Sequence, residues 1–239
     1  MIATGLDHAG VAVRDLAAAG DAWAALGFQV TAVAPHLPGG ITGNRCVMFR
    51  HGYVELLGML GGHSATLERF LGRYEGVHVL SLATTDAAAA GQRLNREVVR
   101  SERETAGGVA RFARVVLSEM EPRVQLIEQI TPELVWQPDL LLHPNGASEL
   151  LAVVMTSAEP AVAAAALSLA AGVPVVPDPA GGYALRMKTG EVRVVSDIAT
   201  VFPGLTAPRL PFVGGIVVRA PDLAGQIAHA SGVAIRFVA

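Results

Sequence analysis

Cysteine is almost absent from this chain: Cys46 stands alone among 239 residues. That excludes an internal disulfide and any zinc cluster held by several thiolates. Aromatic residues make up 5% of the chain, with Trp23 and Trp136 the only tryptophans, which argues against a pocket built on ring stacking. Charged residues are sparse at 16%, the formal net charge is −3, and no block of Lys and Arg occurs. Such a chain lacks the electrostatic footprint of a nucleic-acid binder. The start, MIATGLDHAG, has neither the basic region nor the apolar segment of a signal peptide. The most apolar window, Leu150 to Val176, is interrupted by Glu159-Pro160 and Pro174. It falls short of the roughly 20 unbroken apolar residues that a membrane span needs. No membrane partner and a cytoplasmic location are therefore expected.

Hydrophobic residues account for 51% of the chain, so a sizeable core is available, enough for one large or two small domains. The stretch that organises the chain is LDHAGVAVRDLAAAGDAWAALGF, Leu6 to Phe28. It reads as a strand, a turn at Asp15 and an amphipathic helix over Leu16 to Leu26, with Asp15 as N-cap and Gly27 at the exit. Side chains alternate along a strand, so His8, Gly10 and Ala12 share one face. An imidazole beside two very small residues predicts empty space, one wall of a cavity. Strands are expected over Phe28 to Ala34, Asn44 to Arg50 and Tyr53 to Leu60, with a Gly/Pro-rich loop at His36 to Gly43.

That order, strand, helix and three strands, then repeats. Val77 to Thr84 and Asp86 to Asn95 are a strand and a helix, followed by strands near Val98 to Glu102, Val109 to Ser118 and Arg123 to Ile130. A third copy starts near Ala147, with a helix opening at Pro160 and strands near Val173, Tyr183 and Glu191. A fourth starts at Val213, with a helix DLAGQIAHAS and a final strand VAIRFV. An internal repeat of roughly 60 residues gives three full units and one truncated unit. The expected domains are 1–135, a packed linker 136–146 carrying Trp136, and 147–239.

Four titratable residues recur at equivalent places in the first two units. His8 and His78 lie on first strands, Glu55 and Glu128 on last strands. Carboxylates inside YVELLGML and VQLIEQI are costly unless paired or bound to a cation. Two imidazoles and two carboxylates make a nitrogen/oxygen site suited to one divalent ion, with positions left for water or substrate. The pattern leaves open which face of VHVLSLAT is buried, and with it the direction of His78.

The repeated unit, headed by LDHAGVAVRDL and closed by YVELLGM, resembles the vicinal oxygen chelate superfamily. The segments HLPGGITGNRCVMF, VHVLSLATTD, ITPELVWQP and HPNGA are similar to its glyoxalase-like domain group. The resemblance implies an α+β fold in which tandem βαβββ units form half-open barrels around a metal. It places the metal ligands at His8, Glu55, His78 and Glu128, a set similar to that of the glyoxalase I group, with Pro132 four residues after Glu128. It further implies a lyase or isomerase in which Ni, Zn, Mn, Co or Fe polarises a small oxygenated substrate. Glu128 and Glu55 would then move the proton. An iron(II) ring-cleaving dioxygenase using His8, His78 and Glu128, or a protein that sequesters a small molecule, are the alternatives. His36 and Arg45 beside the Gly-rich loop, and His143 and Asn145 in HPNGA, are candidate substrate contacts. Units three and four keep no such set; Glu149 opens unit three without a His. The second half is expected to cover the barrel or to form a homodimer contact.

Overall fold

The computed structural model describes residues 2–36, 39–105 and 107–239; Leu37 and Pro38 of the expected Gly/Pro-rich loop fall outside the described residues. The first unit runs β1 (Gly5–Ala12), α1 (Leu16–Ala25), β2 (Ala34–Pro35), β3 (Thr42–Met48) and β4 (Tyr53–Met59). A short helix, α2 (Ala65–Leu71), leads into β5 (Gly76–Ala83), α3 (Ala87–Leu94), β6 (Val98–Thr105), β7 (Gly108–Leu117) and β8 (Arg123–Gln129). The third unit comprises β9 (Glu149–Thr156), α4 (Pro160–Ala171), β10 (Val175–Pro177), β11 (Tyr183–Arg186) and β12 (Glu191–Val195). The fourth has β13 (Phe212–Arg219), β14 (Ile227–Ala230) and β15 (Val233–Val238).

Within each unit the first strand pairs in parallel with the last: β1 with β4, β5 with β8, β9 with β12 and β13 with β15. The first strands themselves lie side by side. β1 pairs antiparallel with β5 and β13 with β9, and the single pair Val213↔Val77 joins β13 to β5. The result is one 15-stranded sheet with the path β10-β11-β12-β9-β13-β5-β1-β4-β3-β2. β8, β7 and β6 branch from β5, and β15 and β14 from β13.

The helices start where short polar side chains can take up free backbone N–H groups. Asp15 accepts from the N–H groups of Ala17 and Ala18 at 2.9 and 3.0 Å, and Asp86 accepts from Ala89 at 2.8 Å. α1 then buries Leu16, Ala19 and Trp23 against the sheet. Trp23, Leu56, Leu80, Leu126 and Leu167 belong to one hydrophobic core that runs under both halves. Each such side chain stabilises the fold by about 1.5–3 kcal/mol. The linker is pinned to the first half, since the Trp136 indole N–H donates to the Phe49 carbonyl at 3.0 Å.

Three expectations are corrected. The strand expected over Phe28 to Ala34 is reduced to Ala34–Pro35. Phe28 is drawn into the core beside Trp23 and Phe49, and the Cys46 N–H bonds to the Thr31 hydroxyl rather than to a backbone carbonyl. The regular ladder is lost there. The helix expected over DLAGQIAHAS is one 3-10 turn at Pro221–Leu223, followed by the β14–β15 hairpin. Ser231 and Gly232 both take positive φ, 51° and 72°, the conformation that a two-residue hairpin turn demands. The empty space expected beside His8 does not reach Gly10, where a Cβ would lie 2.8 Å from Val79 Cβ and 3.2 Å from Leu57 Cδ1, although His8 itself lines a cavity. Gly10→Val is therefore expected to destabilise the protein by about 1–3 kcal/mol through overpacking. Urea unfolding beside the wild type measures this, and an unchanged midpoint would show that free space remains at Gly10.

Candidate active site

A cavity of about 360 Å³ opens between the β1–β4 unit and the β5–β8 unit. His8 and Gln125 form its floor, with Glu55 beside them. Every residue of β1 is buried, including Asp7 and His8, which are 2% and 3% exposed. Two polar side chains so deep must satisfy each other.

They do so in a single directed chain. The Gln129 amide donates to Asp7 at 3.0 and 3.2 Å, and His8 Nδ1 donates to Asp7 Oδ1 at 2.6 Å. An ionised carboxylate only accepts, so Asp7 fixes a proton on Nδ1 and leaves Nε2 facing the cavity. There the Ser81 hydroxyl lies 2.7 Å from Nε2, and Ser81 in turn accepts from the Gln125 amide at 2.6 Å. Tyr53 stacks on the imidazole with ring centroids 4.6 Å apart, which holds the ring plane. Ser81 is fully buried, so its hydroxyl serves His8 and is not presented to a bound molecule.

Glu55 stands on β4, one register step beyond His8. His8 is opposite Tyr53 and Gly10 is opposite Glu55, so strand alternation returns the carboxylate to the same face. Its Oε2 lies 3.5 Å from His8 Nε2, its Oε1 3.7 Å from His36 Nε2, and the Asn44 amide donates to Oε1 at 2.5 Å. Burial, the largest single influence, pushes the carboxyl pKa up. The nearby His36 imidazole, the His8 charge and the Asn44 amide together outweigh it and bring the pKa down to about 2. Glu55 is an ionised group at neutral pH.

Of the residues expected at the site, His8, Glu55 and His36 meet at the cavity. His78 and Glu128 do not join them. Gly10 pairs with Val79 and Val11 with Val77, so His78 sits unpaired in a β-bulge. It turns away to stack on Phe70 and Tyr74, and its Nε2 donates to the Tyr74 carbonyl at 2.8 Å. Burial holds its pKa below the usual imidazole range. On β8, Arg123, Gln125 and Ile127 face the cavity, so alternation puts Glu128 on the helix side. There Glu128 Oε2 accepts from the Ala87 N–H at 2.9 Å, capping α3.

The linker candidates serve the framework. His143 Nδ1 accepts from the Gln29 N–H at 2.9 Å and Nε2 donates to the Met48 carbonyl at 2.7 Å. Asn145 donates to the Leu26 carbonyl at 2.9 Å, closing the end of α1. Arg45 lies under the same helix, with Nε donating to the Thr31 carbonyl at 3.0 Å and Nη1 3.6 Å from Asp21.

The expected four-ligand metal set is therefore not assembled. The first unit brings His8 Nε2 and Glu55 to the cavity, whereas beside them the second unit brings the Ser81 hydroxyl and the Gln125 amide. Among the described residues no group of three His, Cys, Asp or Glu side chains is arranged to hold a metal ion. Two imidazoles, His8 and His36, and one carboxylate, Glu55, meet beside two neutral groups, one carboxylate short of the nitrogen/oxygen centre inferred from the sequence. Asp7, Ser81 and Gln125 escaped the sequence reading, as did Arg103, Arg114 and Arg123 on the cavity wall. The adjacency of Asp7 and His8 was a visible signal for the first. The even and odd positions of RVQLIEQ, once Leu126 is assigned to the core, would have selected Gln125 over Glu128.

Paired βαβββ units whose first strands adjoin define the vicinal oxygen chelate fold. The glyoxalase-like domain family matches residues 6–170, and the chain belongs to that family. No curated protein matches it in sequence. A hypothetical protein from Staphylococcus aureus has a similar structure, with a TM-score of 0.76, 14% identity and coverage of 99% of both chains. A triple mutant of 4-hydroxymandelate synthase from Streptomyces coelicolor aligns at a TM-score of 0.59 and 16% identity, over 92% of this chain and 71% of that one. A xylose isomerase-like TIM barrel/4-hydroxyphenylpyruvate dioxygenase fusion protein aligns at 0.61 and 15%, over 91% of this chain; this chain spans 37% of it. These likenesses extend the fold assignment over nearly the whole chain.

The depressed Glu55 pKa sets an acid limb in stability. A carboxyl whose folded pKa lies below its unfolded value stabilises the protein above the unfolded pKa, and that contribution fades as pH falls through the folded one. Relative to Glu55→Gln, the wild type should gain about 3 kcal/mol at neutral pH. The gain should shrink from about pH 4.5 down to about 2, the ordinary and the folded values. Unfolding curves of both proteins across that range test it; a constant difference would mean that Glu55 titrates normally.

Proposed function

We propose that this chain is a glyoxalase-like lyase or isomerase that moves a proton on a small oxygenated substrate. The observation that carries this reading is the Asp7–His8 pair, whose Nε2 faces the cavity 3.5 Å from the ionised Glu55. An imidazole held in one tautomer by a buried carboxylate is a directed general base and, once protonated, a general acid. His8 takes a proton from carbon next to a carbonyl at Nε2, which requires the Ser81 O–H to turn off that nitrogen. Glu55 stabilises the imidazolium that forms, and the Gln125 amide, which can turn toward the cavity, donates to the developing oxyanion. The proton then returns from Nε2 to the neighbouring atom or to the leaving group.

The metal-dependent form of this reaction has the support of the family resemblance alone. The expected second carboxylate, Glu128, is turned to the start of α3, so no step is assigned to an ion. A protein that only sequesters its ligand would share the cavity but would not exchange substrate protons.

Small 2-oxo and 2-hydroxy acids incubated with the protein in deuterium oxide give the test. Exchange at the carbon beside the carbonyl is expected for the wild type and should fall about 10²–10⁴-fold in His8→Asn, the range typical of a lost acid–base group. A chelator should leave the wild-type rate unchanged. Full exchange in His8→Asn, or loss of exchange on chelation, would contradict this assignment of roles.

A further inference from the structure

The wall facing Glu55 is built from guanidinium groups. Arg103 on β6, Arg114 on β7 and Arg123 on β8 all line the cavity. Alternation selects them, since β7 sends Ala113 and Val115 to the core side and β8 sends Val124 and Leu126 there. In the register Arg114 is opposite Ile127 and Arg123 lies four residues away along β8, about 13 Å by strand rise, so only the long side chains bring the two charges within reach of each other. Glu102, the acidic residue on the same wall, is taken by Arg111 at 3.1 Å.

Arg114 and Arg123 each bury an Nε–H that has no hydrogen-bond partner, and neither forms an ion pair among the described residues. Arg123 lies over the Phe70 ring at 5.4 Å, which fixes its plane, as Arg103 lies over Phe112 at 5.7 Å. Burial, followed by the charges of Arg114 and Arg69, holds the Arg123 pKa below its usual range. A buried donor without a partner is costly, and two cations that repel each other add to that cost. The Glu55 charge acts in the opposite sense on Arg123, raising its pKa, without forming an ion pair with it.

We propose that Arg114 and Arg123 form an oxyanion subsite, so that the substrate of the His8–Glu55 pair is a small organic anion carrying a carboxylate or phosphate. The fork of Nε–H and Nη–H on each guanidinium matches two oxygens of either group. Leu57, Val79 and Phe70 line the space with apolar surface, where the carbon skeleton would lie. The ionised Glu55 opposite repels a second anionic end, which orients the substrate with its carboxylate or phosphate toward the arginines and its carbonyl toward His8. This inference rests on the cavity being the place where substrate binds, as in the function proposed above.

Inorganic phosphate and malonate are the probes. Their binding is read by thermal stabilisation against chloride at equal ionic strength, and by the Nε–H signals of Arg114 and Arg123 in the wild type. Binding of either probe should shift those two signals, and Arg114→Gln or Arg123→Gln should weaken it about tenfold or more, as expected for a lost charge-assisted pair. Malonate binding alone assigns a carboxylate, phosphate binding alone a phosphate; either supports the subsite. If a Gln variant does not fold, Arg114→Lys retains the charge without the fork and should still bind more weakly. No stabilisation by either probe, or shifts absent from both arginine signals, would overturn the subsite. His8→Asn should bind the probes as the wild type does. A wild type that binds them without exchanging substrate protons would therefore defeat the acid–base reading and leave the anion subsite standing.

Discussion

The arrangement of this protein's cavity depends on one buried carboxylate. Asp7 is enclosed by the sheet and takes hydrogen bonds from Gln129 on one side and from His8 Nδ1 on the other. Leaving such a group unpaired inside the protein would cost several kcal/mol, so the pairing is enforced by folding itself. Once it is made, the imidazole has one tautomer, Tyr53 holds its plane, and Nε2 has only one direction to face. Ser81, Gln125 and Glu55 then gather around that nitrogen. The polar floor is a consequence of where the first strand buries its third and fourth residues, Asp7 and His8.

The electrostatics of the cavity are polarised across its width. Glu55 is held ionised on one side by two imidazoles and an amide, and Arg103, Arg114 and Arg123 stand on the other. Proteins ordinarily neutralise buried cations with their own carboxylates, and this chain does so elsewhere, as where Asp178 takes Arg193 in a two-pronged pair. Arg114 and Arg123 form no such pair among the described residues. A molecule with an anionic end and an oxygenated carbon would complete both sides at once.

Much of the fold was legible because strand and helix periods are written directly into the hydrophobic pattern. The repeated LDHAGVAV and VHVLSLAT segments, with a capping Asp and an alanine-rich helix after each, announce the units. The places of His8 and Glu55 follow from alternation within an uninterrupted strand pair. His78 was not legible, because it sits unpaired at a β-bulge of β5, where alternation along VHVLSLAT no longer fixes the direction of a side chain. Bulges leave little trace in composition. Glu128 was misplaced for a different reason: both faces of VQLIEQI are rich in apolar residues, and only the packing of Leu126 against the core decides which way the carboxylate turns. In the fourth unit, the apolar spacing of QIAHAS suits a helix and a hairpin equally. The Ser231-Gly232 turn and the parallel pairing of β15 with β13 settle it as a hairpin.

The central claim is that Asp7 fixes the His8 proton on Nδ1 and turns Nε2 to the cavity. Nitrogen-15 labelled histidine in the wild type and in Asp7→Asn tests it directly by NMR at neutral pH. The expected result is a His8 Nδ1 that carries its proton, with a resonance far downfield in the wild type that disappears or moves upfield in Asp7→Asn. An unprotonated Nδ1 in the wild type would contradict the account, because the imidazole would then meet Asp7 without a hydrogen bond and the site would have no fixed direction.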